Sequence, residues 1–355
     1  MNGIYILAND YVYHQLVALL NSIEVNIGQD MPVCIIPYDN RLDQVKAEVA
    51  RRPQVTLFED QDSIERWEAF ATQAWKAHDR AQKEWRVSLG VARSANRSLP
   101  ETYRLAMHRK LCCFDGPFDQ FIYFDADTLA MGSVELIFQQ LEQYSWVTND
   151  YQYCSDVKYI FDASEEDLSK VFTLNKLKSH IFCAGWFASK KGVFTAEILE
   201  QLLHHLCAGE ADLMALWGPD QSLLNYMVLR SEISYYNFAV HGEATGSHWS
   251  SKFDEIEHVL YDKGRRLTYI HYMSVASSKF NRLCQGIAVE IPYRDLFLHY
   301  RYLNDPIQKP VSFLPDTPSV SGTNFGAIAS SIASFIKRKN DNLQHKFRQF
   351  KSSLS

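Results

Sequence analysis

Nowhere in this 355-residue chain do about 18 apolar residues run together, so no helix is expected to cross a membrane. Basic residues are not in excess: 36 Lys and Arg stand against 42 Asp and Glu, a formal net charge of −6. That balance argues against a nucleic-acid-binding protein, whose footprint is a basic face. There is no CxxC pair, and the seven cysteines (34, 112, 113, 154, 183, 207 and 284) are odd in number. Adjacent Cys112 and Cys113 do not form a zinc knuckle, so the expectation is a reduced, cytoplasmic protein with buried free thiols. The opening MNGIYILAND has no basic segment followed by a long apolar one, and no signal peptide is expected. No internal repeat occurs.

What is present is an ordinary globular composition, 46% hydrophobic and 22% charged. The 13% aromatic share suits sugar and base stacking, although a plain core accounts for most of it. The first third alternates short apolar runs (Ile4–Ala8, Val33–Pro37, Val55–Glu59) with helical patterns over 11–25 and 42–49. Such alternation predicts an α/β fold with a parallel sheet covered on both faces. A longer helix is expected over 62–87 and another over 101–113, opened by Pro100 and broken by Asp115-Gly116-Pro117. Further on, Ser133 is placed as the cap of a helix reaching Gln143. Strands are expected at 121–125, 146–149, 182–189 and 268–272, and helices over 195–207 and from Pro219 to Leu229.

The run FIYFDADTL, 121–129, drives a buried-looking strand into Asp125 and Asp127. Ligands of open α/β sheets bind outside the C-terminal ends of strands. Residues i and i+2 of an extended segment point the same way, so both carboxylates are expected to face one hard cation, Mn²⁺ or Mg²⁺, shared with a substrate's phosphates. The plain alternative is that these acids only start a turn.

The set Arg109-Lys110-Leu111-Cys112-Cys113-Phe114, FIYFDADTL and Val134-Glu135-Leu136-Ile137-Phe138 resembles the core of glycosyltransferase family 8, the glycogenin and bacterial lipopolysaccharide galactosyltransferase group. Four more segments fall in that family's order: ILANDY (6–11), FCAGWF (182–187), PDQSLLN (219–225) and IHY (270–272). The resemblance spans roughly residues 3–280. It implies a GT-A fold, Rossmann-like, with a mixed, mostly parallel sheet flanked by helices. It also implies a metal-dependent, retaining hexosyltransferase that uses a nucleotide sugar, most simply a UDP-sugar. By the same resemblance Asp125, Asp127 and His271 would hold the metal, and Ala8, Asn9, Asp10 and Tyr11 would hold the nucleoside. Arg109 or Lys110 would face the donor's phosphates or sugar, together with Ala126, Ala184 and Gly185. Asp220 and Gln221 would lie at the anomeric carbon, as nucleophile or as stabiliser. Two departures stand out: Cys183 occupies a place where the family usually has Asn, and the segment after His271 reads HYMSVASSK, leaving Lys279 at a longer spacing as the diphosphate's cation.

Composition shifts near Pro310. A 1–310 GT-A domain, a 311–324 linker and a tail over 325–355 are expected. In the tail Phe325, Ile328, Ile332, Phe335, Ile336, Leu343, Phe347 and Phe350 recur at helical steps, between Lys337, Arg338, Lys339, Lys346, Arg348 and Lys351. A basic amphipathic C-terminal helix of this kind fits an anionic membrane surface, at the inner face of the membrane, or a protein partner. The acceptor would then be a glycan or lipid-linked sugar, as in cell-surface polysaccharide biosynthesis. Two other readings are a sugar nucleotidyltransferase, against which IYILANDYVY lacks glycine, and a non-catalytic scaffold that keeps the fold.

Overall fold

A computed structural model describes residues 1–85, 102–149 and 157–316. The 325–355 tail and the 311–324 linker beyond Asp316 lie outside the described residues, as does Pro100. The compact unit runs Met1–Leu314.

The central sheet is built from β1 (Asn2–Ala8), β2 (Val33–Pro37), β3 (Val55–Leu57), β4 (Gln120–Asp125), β6 (Trp146–Thr148), β7 (Trp186–Lys190) and β8 (Tyr235–Asn237), with the short β5 (Thr128–Ala130) just beyond β4. Its order is β3-β2-β1-β4-β7-β6-β8. The pairs β1–β2, β2–β3, β1–β4 and β6–β8 are parallel, and β7 runs antiparallel between β4 and β6. The sheet is thus mixed and mostly parallel, as expected.

Alternation along the strands divides the core. Tyr5, Phe121, Tyr123 and Phe187 point into one layer with Trp67, Trp75, Phe114 and Trp146. Ile4, Ile6, Ile122, Phe124 and Trp186 point into the other, with Leu16, Leu20 and Ile137. Both faces of β1 and β4 are therefore buried, which is why these runs read as nearly continuous apolar stretches rather than alternating ones.

Three elements differ from the sequence reading. The helix expected over 62–87 stops at its first stretch, Gln61–Lys76, and helix resumes over 79–85. His78 makes the break: its Nε2 lies 3.0 Å from the Met214 carbonyl, and Asp79 N–H donates to Asp212 Oδ1 at 2.9 Å. Tertiary bonds thus replace one turn of helix. Instead of an α-helix over 101–113 there is a 3₁₀ run, Leu105–Phe114, entered through Arg104 in the left-handed region at φ 52°. The strand expected over 182–189 begins only at Trp186. Before it, the chain is held by Asn225, whose side chain accepts from Phe182 N–H at 3.0 Å and donates to Phe182 O at 2.9 Å.

The cap expected at Ser133 falls one residue early: the helix Glu135–Gln143 has Val134 at its N-cap with no side-chain cap, and Ser133 Oγ accepts from Glu135 N–H just ahead of it. Thr195 caps the helix Ala196–Cys207. Pro219 opens the helix Pro219–Arg230. Past a three-stranded meander, β9 (Asp254–Ile256), β10 (Val259–Asp262) and β11 (Arg265–Arg266), the strand β12 (Tyr269–His271) pairs antiparallel with β5, setting His271 opposite Thr128. Among the described residues no helix is long and apolar enough to cross a membrane.

Candidate active site

Asp125 is the last residue of β4, and the chain turns at once through Ala126 and Asp127 into β5. The two acids therefore do not share one extended segment. They converge because the turn is closed: Thr128 Oγ1 donates to the Asp125 carbonyl at 2.7 Å, and Asp127 O accepts from Tyr272 N–H at 2.9 Å. The β5–β12 ladder brings in the third group. His271 Nε2 lies 3.1 Å from Asp127 Oδ1, and one ligand atom from each of Asp125, Asp127 and His271 falls within 4.8 Å of the others. Two carboxylates and one imidazole form a donor set that suits a hard to borderline divalent cation.

Gly185 makes room for this cluster. A Cβ there would sit 2.3 Å from His271 Cε1 and 3.0 Å from Asp125 Oδ2, so only glycine lets the β7 approach lie under both groups. The site's residues fit a divalent ion on this count as well as by their chemistry.

Beside the acids lies Lys110, whose buried side chain enters from the 3₁₀ run. Its Nζ donates to Asp125 Oδ1 at 3.2 Å and to the Ala184 carbonyl at 3.1 Å, and pairs with Asp220 Oδ2 at 2.8 Å. It also stands 4.9 Å from the centroid of the Tyr123 ring. One ammonium thus joins the end of β4 to the first turn of the helix Pro219–Arg230. There Gln221 Oε1 accepts from Ala184 N–H at 3.4 Å, and Asn225 Nδ2 donates to Gln221 O at 2.9 Å.

Electrostatics follow from this packing. Burial pushes the Asp125 carboxyl up, and Asp127 adds to it, while Lys110 pulls the other way; the net shift is upward. Burial acts the same way on Asp127, but the charge and hydrogen bond of His271 more than offset it, leaving it below the usual carboxylate range. For His271 burial opposes the charged ring, and Asp127 overrides that, raising it well above an ordinary imidazole. Asp220, despite its burial, is held down by Lys110. Burial keeps the Tyr123 phenol protonated, and its hydroxyl donates to Asp125 Oδ1 at 2.6 Å.

The remaining sequence candidates fall into two groups. Ala8 ends β1 next to this cluster's strand, and Asn9 follows it, its amide bonded to Asp39 Oδ2 at 2.9 Å and its Oδ1 to Tyr11 N–H at 3.1 Å. Asp10 caps a neighbouring helix, Asp43–Ala50, accepting from Gln44 and Val45 N–H at 3.1 and 3.0 Å. Tyr11 keeps an exposed ring, 48% accessible. Arg109 points away from the acids. It pairs with Glu68 at 2.7 Å and donates to the Pro37 carbonyl at 3.2 Å, tying the helix Gln61–Lys76 to β2. Of the two adjacent cations, Lys110 is the one at the acids. Ala126 is buried in the core layer of Phe124. Lys279 Nζ donates to the Glu290 carbonyl at 3.4 Å on an exposed helix.

Sequence reasoning passed over Tyr123, although its position two residues before Asp125 on a strand places both side chains on one face. Asn225 enters the sequence reading only as the end of the PDQSLLN segment, without a role of its own. The carbonyl of Ser247, which accepts from His271 N–H at 2.7 Å, carries no sequence signal.

No protein-family model matches the chain, and no curated protein matches it by sequence. Solved structures do. The bifunctional glycosyltransferase WbbM, in its apo form, aligns at TM-score 0.52 and 15% identity over 88% of this chain and 52% of its own. The fold is that of the GT-A glycosyltransferases. The chain spans about half the length of WbbM, 52%. The galactosyltransferase LgtC, in complex with donor and acceptor sugar analogues, aligns at TM-score 0.47 and 12% identity over 82% of this chain and 98% of its own. Mouse xyloside xylosyltransferase 1, apo form, follows at TM-score 0.44 and 9% identity, over 64% and 82%. Within the GT-A fold, Asp125, Asp127 and His271 gather at the C-terminal end of β4, the edge where open α/β sheets take their ligands.

Proposed function

We propose that this chain is a metal-dependent glycosyltransferase that moves a hexose from a nucleotide sugar, a UDP-sugar, to a glycan or lipid-linked acceptor with retention. The observation that carries the reading is the Asp125–Asp127–His271 cluster, joined through Lys110 to Asp220. Three buried or half-buried carboxyl groups face two cationic side chains there, so the pocket is short of positive charge.

Asp125, Asp127 and His271 would hold Mn²⁺ or Mg²⁺. The bound ion would act as a Lewis acid that stabilises charge on the departing diphosphate. Lys110 keeps Asp125 and Asp220 in fixed positions and limits their mutual repulsion. The Asp220 carboxylate and the Gln221 carboxamide, at the start of their helix, stabilise positive charge developing at the anomeric carbon. Tyr11, exposed beyond β1, offers a face for the base, and Asn9 and Asp10 have lone pairs left after their internal bonds. Ala126, Ala184 and Gly185 leave space and backbone groups for the donor, and Lys279 would need a change of rotamer to reach a diphosphate.

Thermal unfolding against a panel of nucleotide sugars, with and without Mn²⁺, tests this. A ligand that binds only the folded state raises the melting temperature. A Mn²⁺-dependent rise for one UDP-sugar, lost in Asp127→Ala, is the expected result. No rise with any nucleotide sugar at saturation would overturn the reading and favour a non-catalytic scaffold. We also propose that residues 1–310 are the catalytic domain, that 311–324 are a linker and that the basic tail 325–355 holds the enzyme at an anionic membrane face. Deleting 325–355 should abolish sedimentation with anionic liposomes; unchanged sedimentation refutes the tail's role.

A further inference from the structure

We propose that Cys183 is a positioning residue for His271: its sulfur accepts the Nδ1–H and holds the ring with Nε2 aimed at the ion that Asp125 and Asp127 would share. This rests on the metal reading above.

Cys183 is buried, and its Sγ lies 3.7 Å from His271 Nδ1, within reach of a hydrogen bond to sulfur. The opposite nitrogen, Nε2, is 3.1 Å from Asp127 Oδ1. The ligand atoms that gather within 4.8 Å are those of Asp125, Asp127 and His271, without the thiol. Cys183 therefore stands behind the ring rather than at the ion. An imidazole that binds a metal through one nitrogen carries its proton on the other, and the acceptor of that proton fixes the ring.

The main chain leaves the side-chain torsions open. His271 N–H is tied to the Ser247 carbonyl at 2.7 Å, and β12 is paired with β5, so the Cα position is fixed. Neither χ1 nor χ2 is fixed by those bonds, and χ2 decides which ring edge meets the ion. A half-turn of the ring would exchange Nε2 with Cε1 and present carbon to the ion. It would also turn Cδ2, which has no N–H, toward the sulfur. Cys183 therefore opposes the half-turn from behind, as Asp127 does from the front. Close beneath the same ring lies Gly185, whose missing side chain leaves Cε1 its place. Cys183 and Gly185 thus shape the back and floor of the imidazole's slot.

The test uses the full chain and Mn²⁺ alone, by electron paramagnetic resonance. Wild type, Cys183→Ser and Cys183→Ala are titrated with Mn²⁺ after each is shown to unfold cooperatively. Losing the acceptor should weaken Mn²⁺ binding about tenfold in Cys183→Ala, with Cys183→Ser restoring most of it. The ¹⁴N modulation from directly bound imidazole, read at equal Mn²⁺ occupancy, should be full in wild type and Cys183→Ser and reduced in Cys183→Ala. A general loosening of the fold would not select that signal. If Cys183→Ala does not fold, Cys183→Val, closer in volume and equally without an acceptor, replaces it. Wild-type affinity and modulation in the acceptor-free variant would overturn the role of Cys183 and leave the metal reading standing. No Mn²⁺ binding by wild type would overturn both.

Discussion

Replacing Lys110 with Met keeps most of the side chain's length and removes its charge. In the wild-type protein the ammonium stands 3.2 Å from Asp125 Oδ1 and 2.8 Å from Asp220 Oδ2. The Lys110 side chain is 2% exposed, Asp220's 7% and Asp125's 30%. Removing one partner of a buried pair costs about 3–5 kcal/mol, because the other charge stays buried without compensation. Water can reach Asp125, so the lower end of that range applies, about 3 kcal/mol. An unfolding entropy of about 2.1 cal/mol/K per residue makes each kcal/mol worth about 1.5 °C in a unit of this size, Met1–Leu314, so Lys110→Met should melt about 4–5 °C below wild type in EDTA. The loss should be smaller in saturating Mn²⁺, which returns positive charge to Asp125. It should also shrink toward acid pH. The orphaned carboxyl groups would have folded pKa values raised above their unfolded ones, so the folded variant binds more protons, and its stability falls as pH rises through those values. Differential scanning calorimetry at two pH values, with EDTA and with Mn²⁺, reads all three effects. An unchanged melting temperature, or a loss that is the same in all conditions, would refute Lys110 as the electrostatic hub.

Because burial, which disfavours the charged ring, is outweighed by the charge and hydrogen bond of Asp127, His271 is raised well above its ordinary value, and Mn²⁺ must displace a proton from it near neutrality. Affinity should therefore climb by about tenfold per pH unit below the folded pKa, with about one proton released per ion, measured by calorimetry in buffers of different ionisation enthalpy. In the metal-free protein the same group's stabilising contribution is fully present below the unfolded pKa and is lost as pH rises through the folded one. Gly185→Ala would place a methyl 2.3 Å from His271 Cε1. It should weaken Mn²⁺ binding by about tenfold or more while costing about 1–3 kcal/mol of stability, and wild-type affinity would show the slot to be looser than described. Arg109→Ala should lose about 1–3 kcal/mol through Glu68 and the Pro37 carbonyl, yet leave nucleotide-sugar affinity nearly intact, since that guanidinium faces away from the acids.

Much of the architecture was legible in the chain. Apolar runs 4–8, 33–37 and 121–125 are strands because both of their faces are buried, and such runs need no partner to be recognised. The helix starts near Thr195 and at Pro219 follow local rules, and they held, whereas the helix expected to be capped by Ser133 has Val134 at its N-cap with no side-chain cap. The break at His78 was not legible, because it depends on Met214 and Asp212, more than 130 residues away. For the same reason the choice between Arg109 and Lys110 stayed open: two adjacent cations on a short 3₁₀ run differ only in what the rest of the fold sets before them.

The sequence by itself determined that a buried strand ends in Asp125 and Asp127, that a strand near 270 carries a histidine and that a helix opens at Pro219 with Asp220 in its first turn. These are matters of periodicity and capping, which act over a few residues. Tertiary structure decided that the groups meet. The antiparallel pairing of β5 with β12 sets His271 against Asp127, the turn at Ala126 rather than an extended i, i+2 step aims the carboxylates, and Lys110 bridges Asp125 to Asp220 from a separate element. Contacts spanning 15 to 144 residues are fixed by sheet register and packing, and no local pattern encodes the register between two strands.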